Sequence, residues 1–151
     1  MVSFYFFEGP YKTKPHYRPF DENTRRRLKN LIQSWKELKD YDTRDLAILF
    51  RWQENEEVAR WFWFGRFYSV GYYPSSTPAE SVIRRLLRNN KCVIEIALLK
   101  GCPMEQVLYA FFHEFRHYIQ YKTGKGWLKR RELERDAREW SYEMVRRLIG
   151  V

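Results

Sequence analysis

Cysteine is scarce in this chain. Cys92 and Cys102 are the only two, ten residues apart and outside any CxxC pair, which excludes a zinc ribbon and a disulfide framework. Two thiols in a reducing compartment is the reading that remains. Long apolar runs are missing as well, since the most hydrophobic stretch, CVIEIALL, already carries Glu95, so a membrane span is not expected. The opening MVSFYFFEGPYK has neither a basic leader nor a small-residue cleavage site, so the expected location is cytoplasmic. Repeats, low-complexity tracts and a linker are also lacking, and 151 residues is the size of one domain, residues 1–151. Histidine occurs three times, at 16, 113 and 117.

What is present is aromatic and basic. Hydrophobic residues make up 44% and charged residues 31%, a globular balance too apolar for disorder. At 19% aromatic, the core has to be built largely from rings, whose Tyr and Trp heads need polar partners. The net charge of +9 suits an anionic partner. Clusters such as Arg25-Arg26-Arg27 and Lys129-Arg130-Arg131 are nevertheless spread along the chain, as on an Arg-rich soluble surface.

Patterning gives an order of elements. SFYFF at 3–7 reads as a short strand, closed by Gly9-Pro10. Asp21 or Asn23 can cap a helix to about Lys39, and Leu46, Leu49, Phe50 and Gln53 recur at helical spacing over 43–54. The aromatic run from 59 to 73 reads as a hairpin with Gly65 as its turn point. A short helix is expected over 79–88, and Cys92–Leu98 alternates as an amphipathic strand with Val93 and Glu95 on one side. Pro103 suits the start of a helix that stops at Gly124. A last helix, 128–149, carries Leu133, Ala137, Trp140, Met144 and Leu148 as its buried stripe.

The chemistry lies in HEFRH, residues 113–117. His113 and His117 project from one helix face a turn apart, where two neutral imidazoles can hold one zinc ion. Glu114, beside the first of them, can reach a water on that metal and act as its general base. The apolar flanks AFF and F make these polar groups costly to bury without partners, which a metal would supply. A third ligand is needed, and an antiparallel helix pair nominates one. His117 lies about six residues before the connector and Glu134 about six into the next helix, each roughly 9 Å from the turn at ~1.5 Å per residue. Glu132 points away from the buried stripe. Asp136 and Glu134 flank that stripe on opposite sides, and helical angle alone does not separate them. Asp136 has the shorter reach, so level and side favour Glu134; a surface pair with Arg130 or Arg138 is the bland reading of that residue.

HEFRHYIQY followed by LERDAREWS resembles the zincin metallopeptidases, specifically the compact gluzincins of the SprT-like and ImmA/IrrE-like groups. Those carry H-E-x-x-H on one helix and E-x-(E/D)-A-(N/D)-x-(aromatic)-A on the next, and Glu134, Asp136, Ala137, Trp140 and Ser141 fall on that pattern. Arg138 departs from it, so a contact common in the family is missing or comes from elsewhere, for which Asp136 is a candidate. The resemblance covers about residues 59–148, with residues 1–55 an N-terminal strand and helices matching nothing. It implies an α+β, compact zincin-like domain, with a small antiparallel-containing sheet packed on the active-site helix and a C-terminal helix. GRFYSVGYY and KCVIEIALL would be its hairpin and edge strand, the latter pairing with an extended peptide. It also implies one zinc ion held by His113, His117 and Glu134, with Glu114 as catalytic base.

Other residues have plainer readings. Tyr118, Tyr121 and Tyr142 could offer a phenol to an oxyanion but read as packing. Arg116 points off the ligand face toward solvent, His16 reads as a surface residue, and WFWF at 61–64 reads as core rather than a base-stacking platform. The function expected is thus a zinc metallopeptidase acting on a protein or peptide. The alternative is a nucleic-acid-associated or regulatory protein-binding module with a structural or vestigial zinc, reaching DNA or DNA-bound protein through the basic surface. No membrane partner is expected.

Overall fold

Leu46, Ala47, Ile48, Leu49 and Phe50 are all fully buried. A stretch covered on both faces shows no period-two alternation, so helical spacing and strand are indistinguishable in its sequence. In the computed structural model it is strand. The structure describes residues 1–54, 65–72, 74, 76–125 and 128–150. In chain order these form β1 (Ser3–Phe6), α1 (Glu22–Gln33), a 3-10 turn (Lys36–Asp40), β2 (Leu46–Trp52), β3 (Gly65–Tyr68), α2 (Glu80–Arg88), β4 (Cys92–Leu98), α3 (Met104–Lys122) and α4 (Arg130–Ile149).

The helix expected over 43–54 is therefore corrected to β2. It lies between β1 and β4, parallel to both, and burial on each face explains the misleading pattern. The sheet order is β1-β2-β4-β3, with β3 antiparallel to β4. Four helices and one four-stranded sheet among the described residues make a mixed fold compatible with the α+β class. No described helix is long and apolar enough to cross a membrane.

Three further expectations change. The helix capped by Asp21, whose carboxylate accepts from Thr24 N, ends at Gln33 rather than Lys39. Its Ile32 and, beyond it, Trp35 are buried, and the chain tightens into the 3-10 turn. Gly65 is not a turn but the first residue of β3, and the turn comes at Val70-Gly71, while 59–64 and Tyr73 lie outside the described residues. β4 is neither amphipathic nor an edge: all seven of its residues are buried and β2 and β3 flank it, so among the described strands the outer ones are β1 and β3.

Side-chain alternation then builds two cores. Ile48, Phe50, Ile94 and Ile96 face α3, whose Phe111, Phe112 and Phe115 pack against them with Leu28 and Ile32 of α1. Trp35 meets those three phenylalanines edge to face, at centroid distances of 5.0 to 6.1 Å. On the opposite face Ala47, Leu49 and Val93 pack with Ile83, Leu86 and Leu87 of α2. α4 covers the far side of α3 through Ala137, Ser141, Met144 and Val145; of its expected stripe, Leu148 is exposed. Between sheet and α4, the helix α3 borders a cleft along β3 and the start of α4.

Candidate metal centre

α3 and α4 run antiparallel across a short connector, and this sets the level of every side chain between them. Glu134, one turn into α4, reaches back so that its Oε2 lies 3.1 Å from His113 Nε2 and its Oε1 2.9 Å from His117 Nε2. Two imidazole nitrogens and a carboxylate thus meet. The carboxylate of Glu114 and both imidazoles also lie within 4.8 Å of one another, so distance alone offers two acidic partners. Direct contact distinguishes them: Glu134 bridges the two rings, and Glu114 turns under β3.

The proton on His117 can be placed. Gln120 Nε2 donates to Leu133 O at 3.0 Å and to Asp136 Oδ2 at 2.9 Å, so its Oε1 is the acceptor facing His117 Nδ1 at 2.8 Å. Nδ1 carries the hydrogen. In the neutral ring, Nε2 then presents a lone pair to the Glu134 carboxylate. That nitrogen is buried and makes no directed hydrogen bond despite its 2.9 Å contact. Lone pair against carboxylate is repulsive unless a cation, proton or metal, joins them.

Two imidazole nitrogens and a carboxylate are donor types that zinc accepts, and the contacts of 3.1 and 2.9 Å, to different carboxylate oxygens, are each a few tenths shorter than the roughly 3.3 Å between tetrahedral zinc ligands. A ring fixed through its other nitrogen is also how ligating histidines are oriented. Electrostatics show the same coupling. Contact with both imidazoles holds the Glu134 carboxyl well below the usual carboxylate range. Burial disfavours charge on His117, but Glu134, Glu114 and Gln120 outweigh it and raise its pKa.

Glu114 differs. Only 5% exposed, it has no hydrogen bond among the described residues, and burial pushes its pKa up to about 7 despite the neighbouring imidazoles. Gly65 makes room for it. A Cβ at Gly65 would stand 2.9 Å from Glu114 Cγ and 3.3 Å from the Glu95 carbonyl oxygen. Gly65 and Glu114, with His117 and Glu134, line a cleft of about 620 Å³ between β3 and α4.

Several expected residues lie elsewhere. Asp136 does not contact the imidazoles; it accepts from Arg116 Nε at 2.8 Å and from Gln120, so it backs His117 at one remove. Arg116 is correspondingly not free in solvent but paired with Asp136 and set over the Trp140 ring at 5.3 Å. Tyr118 is buried away from the cleft and donates to Asp42 O and Asp45 Oδ1, and Tyr142 packs on Tyr109. Tyr121 does line the cleft. His16 is exposed and contacts Tyr11 O, and WFWF lies outside the described residues.

Two contributors escape sequence reasoning. Gln120 stands three residues after His117, a same-face spacing that could have flagged it. Gly65 sits in a strand, where glycine marks a close approach by a neighbour. No family model, curated protein or solved structure matches this chain.

Proposed function

We propose that the protein is a zinc-dependent peptidase of the zincin-like, gluzincin type, with His113, His117 and Glu134 holding one zinc ion and Glu114 as general base. The observation that carries this reading is the pairing of two unlike carboxylates at one pair of imidazoles. Glu134 is committed to the rings, while Glu114 is buried, unbonded and open only to the cleft.

Zinc, when bound, supplies a Lewis acid that acidifies water and polarises a carbonyl. The chain's own groups do the rest. Glu114 takes a proton from water onto its carboxylate as the water oxygen bonds to the peptide carbonyl carbon. It then returns that proton to the amide nitrogen as the C–N bond breaks. Gln120 keeps the His117 ring in one tautomer and orientation. β3 pairs with β4 and lines the cleft, where an extended peptide can lie along the strand.

Glu114→Gln keeps the shape and removes the base. Its zinc content, measured by atomic emission, should equal that of the wild type while hydrolysis of a protein substrate falls by at least a hundredfold; persistent activity would rule out this mechanism. A second reading, a nucleic-acid-associated module with a structural zinc, is favoured by the charge of +9. It requires DNA affinity that falls steeply with salt. Absence of binding at low salt would end it.

A further inference from the structure

We infer that the cleft selects peptides with acidic side chains beside the bond that is cut, gripped by Arg66 and Arg130. This rests on the peptidase reading and adds a substrate class to it. β3 forms one wall of the cleft, the start of α4 the other, and α3 the floor. Of the described residues lining it, four are charged: Arg66, Arg130, Glu114 and Glu134. The two carboxylates are already committed. Glu134 contacts both imidazoles, and Glu114 is buried beneath Gly65. The two arginines are exposed and neither is within ion-pair distance of a described carboxylate, although Arg66 acts at longer range on Glu114.

Among the described residues, other arginines without an ion pair lie mostly on helices. These two border one half-open cleft from opposite elements, β3 and α4. Nearby arginines are neutralised locally, Arg116 by Asp136 and Arg51 by Glu95. Uncompensated charge in a concave site raises the local concentration of anions, and a guanidinium can hold a carboxylate through two parallel hydrogen bonds. Tyr72 and Tyr121, 56% and 44% exposed, add ring surface in the same cleft. A peptide laid along β3 would carry its side chains past both arginines. Nucleic acid is also anionic, but the described residues lining the cleft include only two arginines, too few for a run of successive phosphates.

The test uses the whole chain loaded with zinc and three synthetic peptide pools of matched length, rich in Asp and Glu, in Asn and Gln, or in Lys. Products are read by mass spectrometry, and binding by fluorescence anisotropy on the Glu114→Gln protein at physiological salt. The acidic pool should be cut with at least tenfold higher kcat/KM than the neutral pool, mostly through KM. It should also bind the Glu114→Gln protein at least tenfold more tightly. Arg66→Gln and Arg130→Gln should each shrink that preference several-fold with zinc content unchanged, and Arg130→Glu should turn it toward the Lys pool. Equal binding of acidic and neutral pools would overturn the inference even if nothing is cut. So would an acidic preference that survives both glutamine variants. A single-stranded oligonucleotide that displaces the acidic peptides and itself depends on both arginines would reassign the cleft to nucleic acid. Failure of every pool to be cut, with zinc bound and the acidic binding preference intact, would count against the peptidase reading alone.

Discussion

Gln120 joins Asp136 and Leu133 on one side to His117 on the other, so the orientation of a candidate ligand depends on a residue that touches no metal. Gln120→Leu removes the acceptor for Nδ1–H and should weaken zinc affinity by about 10- to 100-fold, measured by competition with a chelating dye. The site should also leave a mark on the pH dependence of the metal-free protein. The Glu114 carboxyl, raised from 4.5 to about 7, stays protonated in the fold where the unfolded chain would release its proton. Stability therefore falls as pH rises across that window. His117, also raised, contributes stability that is likewise lost as pH rises through its folded value. Glu134 is depressed, so its contribution is lost only on acidification. Urea unfolding of metal-free protein from pH 4.5 to 7.5 should show the decline, and Glu114→Gln should remove roughly 3 kcal/mol of it. Much of this residue scale was legible. Spacing paired His113 with His117, and connector length put Glu134 level with His117. Gln120 and Gly65 were not, because each acts through a neighbour that only packing supplies.

Among the elements, β3 does most for the site. Gly65 lets the strand pass close over Glu114, and its pairing with Ile96 fixes the height of that passage. Gly65→Ala would force Glu114 to turn or the strand to lift. A cost of about 1–3 kcal/mol in urea unfolding is expected, with hydrolysis lost and zinc binding retained. Helices were more legible than strands here. α3 and α4 are long, carry their own stop signals, and keep an apolar side. β2 was read as helix because a strand buried on both faces loses the alternation that identifies it, and β4 was taken for an edge on the family resemblance, since nothing local in its sequence shows which strands flank it.

Across the whole molecule a second polar centre lies on the face of the sheet opposite α3. Glu95 accepts from Arg51 Nε at 2.6 Å, Tyr68 OH at 2.7 Å and Thr77 Oγ1 at 2.5 Å, joining β2, β4, β3 and the segment before α2. Arg51 and Glu95 are 5% and 2% exposed. Arg51→Met strands a buried carboxylate and should lower stability by about 3–5 kcal/mol in urea unfolding. The parallel pairing of the sheet has a different consequence. Ser3 lies against Ala47 and Leu46 against Cys92, so the platform beneath α3 closes only when distant segments meet. His113, His117 and Glu134 follow those segments in the chain. During synthesis these three side chains emerge after the surface that must align them, so on the proposed reading tight capture of zinc would signal that folding has finished.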